Sequence, residues 1–438
     1  MSNTENELAY YPQDASVDEL EIITSSGSFN VRRLLVELSY YEDLYSFVVS
    51  GYVILRDGQG IIEKLELSGK ESISIAFGKN EKGENAVKKV FRLYSVPDRT
   101  PIGNLRSEYI KLHFCSEELL LSESTKITKS FKGKTVSEMI EDIMSNELKT
   151  NSNNLTIEPS VGIYNFNIPT LKPFETISWL STYARPSMTK DAGADMLFYE
   201  TKNGFNFSSL GTLYKKEPEK TYRYDLKNIP STFLEKITSV IDYQFVRGFD
   251  SLKDINSGTF ANRIITLDPL NRTKLVKDFD YSDYGGSKLN GGDPAPNSTN
   301  RLGKKNSDSS LGVLKLGVSN ANQQRKESLS EGVGSLAPDI FLETTVTNRT
   351  AQLSLANYTV IKIRIPGDTE LTAGSIINFK IQSLNSEDSN NLDRYYSGKY
   401  LVTAVRHIIQ SQGVFQSVLE ITKDSSTQDY SNNEVPAI

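Results

Sequence analysis

The residues best suited to acid–base or metal chemistry are few in this chain and far apart. Its 438 residues include two histidines, His113 and His407, and one cysteine, Cys115. Metal sites and serine–histidine triads need several such side chains together, and the sequence contains no cluster of them. Each histidine lies in a strand-like run, which favours a role in packing or hydrogen bonding. Cys115 ends the strand-like run 110–115 and is predicted to be a buried thiol. A single cysteine excludes an intramolecular disulfide and suits folding in a reducing cytosol.

The triplet Gly133-Lys134-Thr135 resembles the end of a phosphate-binding loop. The full pattern needs a glycine five residues earlier, where Thr128 stands. A capping box explains Thr135 more simply, because its side chain can accept a hydrogen bond from the amide of Glu138 while Glu138 reaches back to the amide of Thr135. Nucleotide binding is therefore not expected.

The 55 acidic residues could supply a carboxylate pair for sugar hydrolysis, which needs two acids about 5–10 Å apart. Local clusters occur at Glu117-Glu118 and at Asp191 and Asp195, but no pattern holds such a pair together. The segment 191–195 also lacks the spacing and the final glutamate of a calcium loop, so we expect a solvated turn. The sequence predicts no catalytic, cofactor-binding or metal-binding residue, and no enzymatic activity.

Charge and composition restrict the remaining classes of function. The net charge is −6 and the basic residues form no stripe, which argues against a protein that grips nucleic acid. No apolar run approaches the roughly 20 residues of a membrane helix, and the polar, acidic segment 1–14 does not resemble a signal peptide. We therefore expect no membrane anchor. The length allows two to four domains with a sizeable core.

The elements available to position side chains are mostly strands. Pro366-Gly367 and Gln412-Gly413 stand where tight turns are needed, and residues 17–115 also alternate strand patterns with glycine turns. Both regions are predicted to form small antiparallel barrels or sandwiches. Near the C-terminus, apolar residues alternate with polar ones as in half-buried strands in four runs: 358–365, 371–381, 397–409 and 414–423.

A small α/β unit is predicted between these two regions. A second helix should begin at Pro173, a favoured first-turn residue, and end before Arg185-Pro186. Asn203-Gly204 predicts the turn of a hairpin. The first helix follows the capping box, and its apolar face consists of Val136, Met139, Ile140, Ile143 and Met144.

The segment 281–334 has a different composition. It is rich in Gly, Ser, Asn and Lys and has little apolar surface to bury. Two interpretations stay open: a linker between the two strand-rich regions, or an arm that becomes ordered against a neighbour or partner.

Several of these runs together resemble the central hub protein of contractile, T-even-like phage baseplates, whose fold is shared by type VI secretion hub-spike proteins. The likeness covers roughly residues 17–250 and 340–425. In the first region it rests on 41–45, 50–58 and 67–71. In the second it rests on Pro366-Gly367, on the strand start Leu371-x-x-Gly374-x-x-Ile377, and on the run from Ser397 to His407.

The resemblance implies a mainly β chain with a small α/β insertion and two tube-protein-like antiparallel β-barrels. The expected divisions are an N-terminal tail at 1–16, a first barrel at 17–120 completed by about 205–250, an insertion at 121–204, an extended loop or arm at 251–339, a second barrel at 340–425, and a C-terminal tail at 426–438.

The resemblance also implies a function. The chain would be a structural virion protein, a homotrimeric central hub that joins the hexameric tail tube to the trimeric central spike and lines the channel for DNA. Two similar barrels per chain would let three copies present six. Expected partners are the central spike, the tail tube or tube-initiator protein, and baseplate wedge proteins, without specific nucleic-acid binding. The protein would be assembled in the host cytoplasm and reside in the virion baseplate.

Two alternatives belong to other functional classes. A tail-tip cell-wall hydrolase would need an acid pair in a helical, lysozyme-like domain, and the helical part here is short. A host-binding tail protein would be expected to show fibrous repeats, and the sequence shows none.

Overall fold

The computed structural model describes most of the chain. The described residues are 16–58, 60–78, 87–103, 106–187, 195–225, 230, 232–268, 273–281, 287–290, 311–316, 342–383, 392–393, 395–411 and 413–425. The predicted C-terminal tail lies outside them, as does the predicted N-terminal tail except for Ser16. In the described part of the chain, no helix is both long and apolar enough to cross a membrane.

The N-terminal half is an antiparallel sheet with the order β3-β4-β7-β6-β5-β1-β2. Alternation produces its two faces, since in β4 Gly51, Val53 and Leu55 are buried while the residues between them are less so. A short helix, α1 (Ile61–Lys64), follows β4. The strands are β1 (Ser16–Thr24), β2 (Gly27–Asn30), β3 (Leu35–Asp43), β4 (Ser50–Asp57), β5 (Ser72–Gly78), β6 (Val87–Pro101) and β7 (Glu108–Cys115).

The α/β insertion has its own core, and four local predictions about it are confirmed. The capping box at Thr135 and Glu138 is present, and a helix begins at Pro173. Gly204 opens the second strand of the predicted hairpin. The apolar face predicted for the first helix is buried. The elements are α2 (Glu117–Ser124), β8 (Ser130–Lys134), α3 (Val136–Asp142), β9 (Leu155–Ile157), β10 (Ser160–Val161), β11 (Tyr164–Asn167), α4 (Pro173–Ser181), β12 (Arg185–Pro186), β13 (Met196–Thr201), β14 (Gly204–Ser209) and α5 (Leu210–Tyr214).

Two expectations about the segment between the insertion and the C-terminal half were wrong. Residues 205–250 were expected to complete the first barrel, but β15 and β16 pair with strands of the C-terminal half, where Tyr222 enters that half's core. Residues 251–339 were expected to be an extended loop, yet their described part holds a helix and a three-stranded sheet. The elements are β15 (Lys220–Tyr224), α6 (Phe233–Thr238), β16 (Asp242–Arg247), α7 (Ser251–Asn256), β17 (Ala261–Asp268), β18 (Thr273–Asp280) and β19 (Leu311–Leu316).

The C-terminal half begins with a helix that the sequence pattern did not indicate. In α8 (Leu342–Ala356), Leu355 packs with Phe260 and Tyr281 beside the three-stranded sheet. The predicted strands follow as β20 (Thr359–Pro366), β21 (Ile376–Ile381), β22 (Gly398–Gln410) and β23 (Phe415–Lys423). Their inward residues form a core that includes Ile363, Phe379 and Leu419.

One sheet runs through both halves, because β22 pairs antiparallel with β3 from Ala404–Asp43 to Gln410–Glu37. The path is β16-β20-β23-β22-β3-β4-β7-β6-β5-β1-β2, with β21 and β15 branching from β22. The prediction of a mainly β, antiparallel fold is confirmed. The ladders among the described strands do not close either half into a barrel, although a single bridge between Arg223 and Ser239 links β15 to the residues before β16.

Two glycines of the motifs that carried the resemblance are required by close packing. A Cβ on Gly51 would lie 2.3 Å from the carbonyl oxygen of Ser39 and 2.4 Å from the Phe114 ring. A Cβ on Gly367 would lie 2.1 Å from the Phe415 ring. Phe415 and Ile409 belong to the core of the N-terminal half, so the seam between the halves is itself packed core.

Candidate assembly surfaces

The two histidines lie in strands, as predicted, and on opposite faces of the sheet. His407 points into the core, where its ring stacks on Tyr40 at 5.9 Å and its Nδ1 lies 2.8 Å from the hydroxyl of Ser417. Burial lowers the pKa of His407 to about 4. His113 faces outward and stacks on Tyr52 at 5.8 Å. Both are therefore packing or hydrogen-bonding residues, as expected.

The other reactive residues also have structural roles. Cys115 is buried, and burial raises the pKa of its thiol to about 11, with the carboxylates of Glu200 and Glu118 adding to the effect. The thiol is therefore protonated near neutral pH. The Thr135 hydroxyl accepts from the amide of Glu138 at 3.3 Å, and the Glu138 carboxylate accepts from the amide of Thr135 at 2.8 Å. The capping interpretation of this threonine is confirmed.

The acidic clusters are arranged differently from the prediction. Glu117 and Glu118 lie in the first turn of α2, and Asp191 lies outside the described residues. Asp195 is fully buried rather than solvated, because its carboxylate accepts from the amide of Gly211 at 3.0 Å and from the side chain of Gln352 at 2.7 Å. Burial raises its pKa to about 6. In the described part of the chain, no three His, Cys, Asp or Glu side chains are grouped so as to hold a metal ion. The absence of any catalytic or cofactor site stays a prediction.

Buried glutamates that sequence reasoning missed join the parts of the molecule. Glu42 of the N-terminal half accepts from the amide of Lys202 in the insertion at 2.6 Å and from the amide of Ala373 in the C-terminal half at 3.1 Å. Its side chain is 1% exposed, and burial raises its pKa to about 7. The signal was available, because Glu42 follows Leu38 and Tyr40 on the inward side of β3. An acid at a core position of a strand pattern indicates a buried acceptor.

Glu200 makes a second joint of the same kind. Its Oε2 accepts from the amide of Val49 at 2.8 Å and from the hydroxyl of Ser116 at 2.6 Å, and Lys89 pairs with Oε1. These partners come from three separate places in the N-terminal half, whereas Glu200 belongs to the insertion. Together the two glutamates join the insertion to both halves of the sheet through buried hydrogen bonds.

Part of the segment 281–334 is docked on the C-terminal half. The carboxylate of Asp424 accepts from the amides of Leu289 at 2.6 Å and Asn290 at 3.2 Å. Farther on, β19 pairs parallel with β17. The described residues of this segment therefore pack on this chain itself, and the choice between a linker and an arm ordered by a neighbour or partner stays open for the segment as a whole.

The outer face of the sheet carries a polar and aromatic band across the seam. Arg406 on β22 lies over the rings of Tyr41 and Tyr52, and Lys111 lies 4.0 Å from the centre of the Tyr52 ring. Beside this band is a cleft of about 530 Å3 whose polar lining includes Lys362 and Glu420, an ion pair at 3.6 Å. Such a face suits a wet, polar contact better than a hydrophobic one.

The strand at one end of the sheet is surrounded by exposed apolar side chains. We call this group the apolar edge surface; its members are between 40% and 77% exposed. Individually exposed apolar residues are ordinary, and what sets these apart is that seven of them fall within 20 consecutive residues, 233–252. The apolar edge surface consists of Phe233, Leu234, Ile241, Phe245, Val246, Phe249 and Leu252.

The fold of this chain is similar to that of two solved tail proteins. The structure of a tail protein from Neisseria meningitidis MC58 superposes with a TM-score of 0.55 at 11% sequence identity and covers 93% of this chain and 96% of that one. The 43 kDa tail protein of prophage MuSo2 from Shewanella oneidensis gives a TM-score of 0.54 at 9% identity, over 93% and 99% of the two chains. These similarities show a shared fold.

A match in amino-acid sequence is more specific than these structural similarities. The chain is 23% identical over 422 residues to the "Probable baseplate hub protein gp334" of Vibrio phage KVP40, which covers 94% of each protein. No family model matches the chain. The resemblance to baseplate hub proteins that the sequence motifs indicated is confirmed by this match.

Proposed function

We propose that this chain is a structural protein of a bacteriophage tail and acts as a baseplate hub. The observation that carries the proposal is the similarity to the probable hub protein of phage KVP40, because it extends over 94% of both chains rather than over one domain. The tail-protein fold supports it. The buried joints at Glu42 and Glu200 also support it, since a hub must hold several partners in a constant geometry.

The chain assembles as a homotrimer that joins the hexameric tail tube to the trimeric central spike. Each protomer contributes two antiparallel halves within one sheet, so three copies would present six similar units to the tube and three to the spike. The ring would line the channel for DNA, and the net charge of −6 suits a wall that does not trap the phosphate backbone. The partners are the spike, the tail tube or its initiator, and baseplate wedge proteins, in a virion assembled in the host cytoplasm.

The chain has no catalytic role in this proposal. The carboxylates that are buried, such as Glu42 and Glu200, serve as acceptors for backbone amides and hydroxyls. Zymography of the purified chain on peptidoglycan should give no clearing zone. A clearing zone that disappears when a single carboxylate is replaced would favour the cell-wall hydrolase instead.

The experiment that tests the hub assignment is the native mass of the full chain, with and without its candidate spike, followed by electron microscopy. We expect a trimer with threefold symmetry. A trimer seen only with the spike would still support the assignment. A chain that stays monomeric with the spike present, or a ring of six chains, would contradict it.

A further inference from the structure

A buried acid and a buried amide meet where the insertion contacts helix α8. Asp195 lies directly before β13, Gln352 lies on α8, and both side chains are buried. The side-chain amide of Gln352 donates to Oδ2 of Asp195 at 2.7 Å, and the backbone amide of Gly211 donates to the same oxygen at 3.0 Å. Both donors therefore use one of the two oxygens of the carboxyl group.

The remaining oxygen of each group has no partner. Oδ1 of Asp195 and Oε1 of Gln352 are both buried, and neither has a hydrogen-bond partner among the described residues. An unpaired buried acceptor is destabilising, so each one in a native fold needs an explanation. A carboxylate oxygen and an amide oxygen cannot satisfy each other, because neither carries a hydrogen. A single proton on Oδ1 would satisfy both, since it makes Oδ1 the donor that Oε1 lacks.

A neutral carboxylic acid fits this pattern better than a carboxylate does. In the neutral acid one oxygen is a carbonyl that accepts, and the other is a hydroxyl that donates. Oδ2 of Asp195 receives both donors, as a carbonyl would, and Oδ1 receives none. The buried carboxyl group of Asp368 differs, because Tyr222 donates to its Oδ2 at 2.8 Å and the amide of Glu370 donates to its Oδ1 at 3.0 Å.

The charges near Asp195 come from more than one element. Burial is the largest influence on the pKa of Asp195, and Glu158 reinforces it, whereas the hydrogen bonds that Asp195 accepts act in the opposite direction; the pKa is raised to about 6. On α8, burial lowers the pKa of Arg349, and the Asp195 carboxylate acts against that effect. Lys288 lies over a different group, 5.3 Å from the centre of the Tyr281 ring. Asp195 therefore takes up its proton in mildly acidic solution.

We infer that Asp195 and Gln352 form a cyclic pair of a carboxylic acid and an amide, a joint that closes when Asp195 binds a proton. In the closed joint, the Gln352 amide donates to Oδ2 and the Asp195 hydroxyl donates to Oε1. Without the proton, the second bond is lost and two buried acceptors have no donor. Helix α8 also packs through Leu355 against Phe260, beside the three-stranded sheet. The joint thus ties the insertion to that sheet more tightly in acid than at neutral pH, independently of the hub proposal.

Asp195→Asn supplies the comparison, because its amide has the shape of the neutral acid and does not titrate. The acid holds its proton more tightly in the folded chain, with a pKa of about 6, than in the unfolded chain, where the ordinary value is 3.8. Its contribution to stability is therefore fully present below the unfolded value and is lost as the pH rises through the folded one. Chemical denaturation should show the unfolding equilibrium constant of the unaltered chain, divided by that of Asp195→Asn, rising roughly thirtyfold from about pH 4 to pH 6. Titrating groups that both chains share, such as His407, cancel in this ratio.

Asp368→Asn is the matched control, at a buried aspartate whose two oxygens are both hydrogen-bonded. Burial would raise the pKa of Asp368, but the ion pair with Lys220 at 2.6 Å acts against burial, and the pKa is lowered. The same ratio for Asp368→Asn should be nearly flat between about pH 4 and pH 6, because Asp368 is already ionised there. A flat ratio for Asp195→Asn as well would overturn the inference, since it would mean that Asp195 is ionised over the same range.

Exchanging the two groups tests the pairing itself. Gln352→Glu places two acids in contact and should raise the unfolding equilibrium constant at neutral pH by at least about tenfold. Adding Asp195→Asn to that variant restores an acid–amide pair with the roles reversed, and should return the stability to that of the unaltered chain at the same pH. Added calcium chloride should not stabilise Gln352→Glu. If it does, the two free oxygens form a cation site and the inference is wrong.

Hydrogen exchange follows the joint in the unaltered chain, without any substitution. The amides of α8 should lose protection as the pH rises from about 5 to 7, after correction for the intrinsic effect of pH on exchange, because an open joint holds the helix less firmly. The amides of β4, in the core of the N-terminal half, should stay protected at both pH values. Equal protection of α8 at both pH values would show that the joint does not open.

Discussion

At the scale of single residues, the fold depends on positions where one atom more would not fit. Gly51 is the clearest case, because a Cβ there would lie 2.3 Å from the Ser39 carbonyl oxygen. Gly51→Ala should lower the free energy of unfolding by roughly 1–3 kcal/mol, as overpacking of a rigid core does, and thermal unfolding would measure the loss.

The matched control is Gly248→Ala. No atom lies within 4 Å of a Cβ at that exposed glycine, so the change should be neutral or slightly stabilising. Equal thermal unfolding midpoints for Gly51→Ala and Gly248→Ala would contradict the close approach at Gly51.

His407 makes stability depend on acid. Its pKa is about 4 in the folded chain, below the ordinary value of 6.5, because burial disfavours the imidazolium. The unfolded chain therefore binds this proton first, so stability is fully present above about pH 6.5 and is lost as the pH falls toward 4. The full loss would be roughly 3 kcal/mol.

A variant without the imidazole tests this assignment. Chemical denaturation of His407→Phe at pH 7, 6 and 5 should show a shallower decline than the unaltered chain. His113→Gln, at the outward-facing histidine, should change the slope less. If the free energy of unfolding falls equally with pH in His407→Phe and in the unaltered chain, a group other than His407 causes the sensitivity to acid.

At the scale of elements, the insertion should be able to fail before the sheet. Ile140 is fully buried and lies in the insertion's own core. Ile140→Asp would bury an unpaired carboxylate at a cost of several kcal/mol. Limited proteolysis should then cut first within residues 121–204, and Glu141→Ala on the exposed side of α3 should leave the digestion pattern unchanged. Early cleavage in 342–425 would show that the two regions do not unfold separately.

Most helices and strands could be predicted from the local sequence pattern, but which strands pair with one another could not. Alternation identified β20 to β23, and the capping box placed the start of α3. Helix α8 was missed because its threonine-rich sequence has no apolar stripe, and its buried side includes Leu355 and the polar Gln352. The placement of β15 and β16 was wrong because alternation shows which face of a strand is buried but not which strand lies beside it.

The candidate surfaces divide in the same way. The packing and hydrogen-bonding roles of His113 and His407 and the burial of Cys115 followed from the strand-like runs that contain them. The joints at Glu42 and Glu200 depend on amides more than a hundred residues away in sequence. The apolar edge surface could not be identified either, because Phe245 and Val246 resemble ordinary core residues until the end of the sheet is known. Exposure is a property of the tertiary structure.

At the scale of the whole molecule, the seam makes the N-terminal half depend on the C-terminal half. Strand β3 lies between β4 and β22, and Ile409 and Phe415 complete the N-terminal core. A fragment of residues 1–341 should therefore aggregate, because it lacks β22 and leaves the edge of β3 open. Co-expression with residues 342–438 should restore soluble, stoichiometric material. A fragment 1–341 that is soluble and monomeric alone would show that the seam is not needed.

The seam also has a consequence for the order of synthesis. Strand β3 leaves the ribosome about 360 residues before its partner β22, as the pairing of Asp43 with Ala404 shows. At typical rates of roughly 5–20 residues per second, β3 would wait on the order of 20–70 s for that partner. The nascent chain therefore passes through a long interval in which the N-terminal sheet has been synthesised but β3 still lacks its partner strand β22. Host chaperones that shield unfinished sheets during that interval would set how much of this protein reaches the assembling tail.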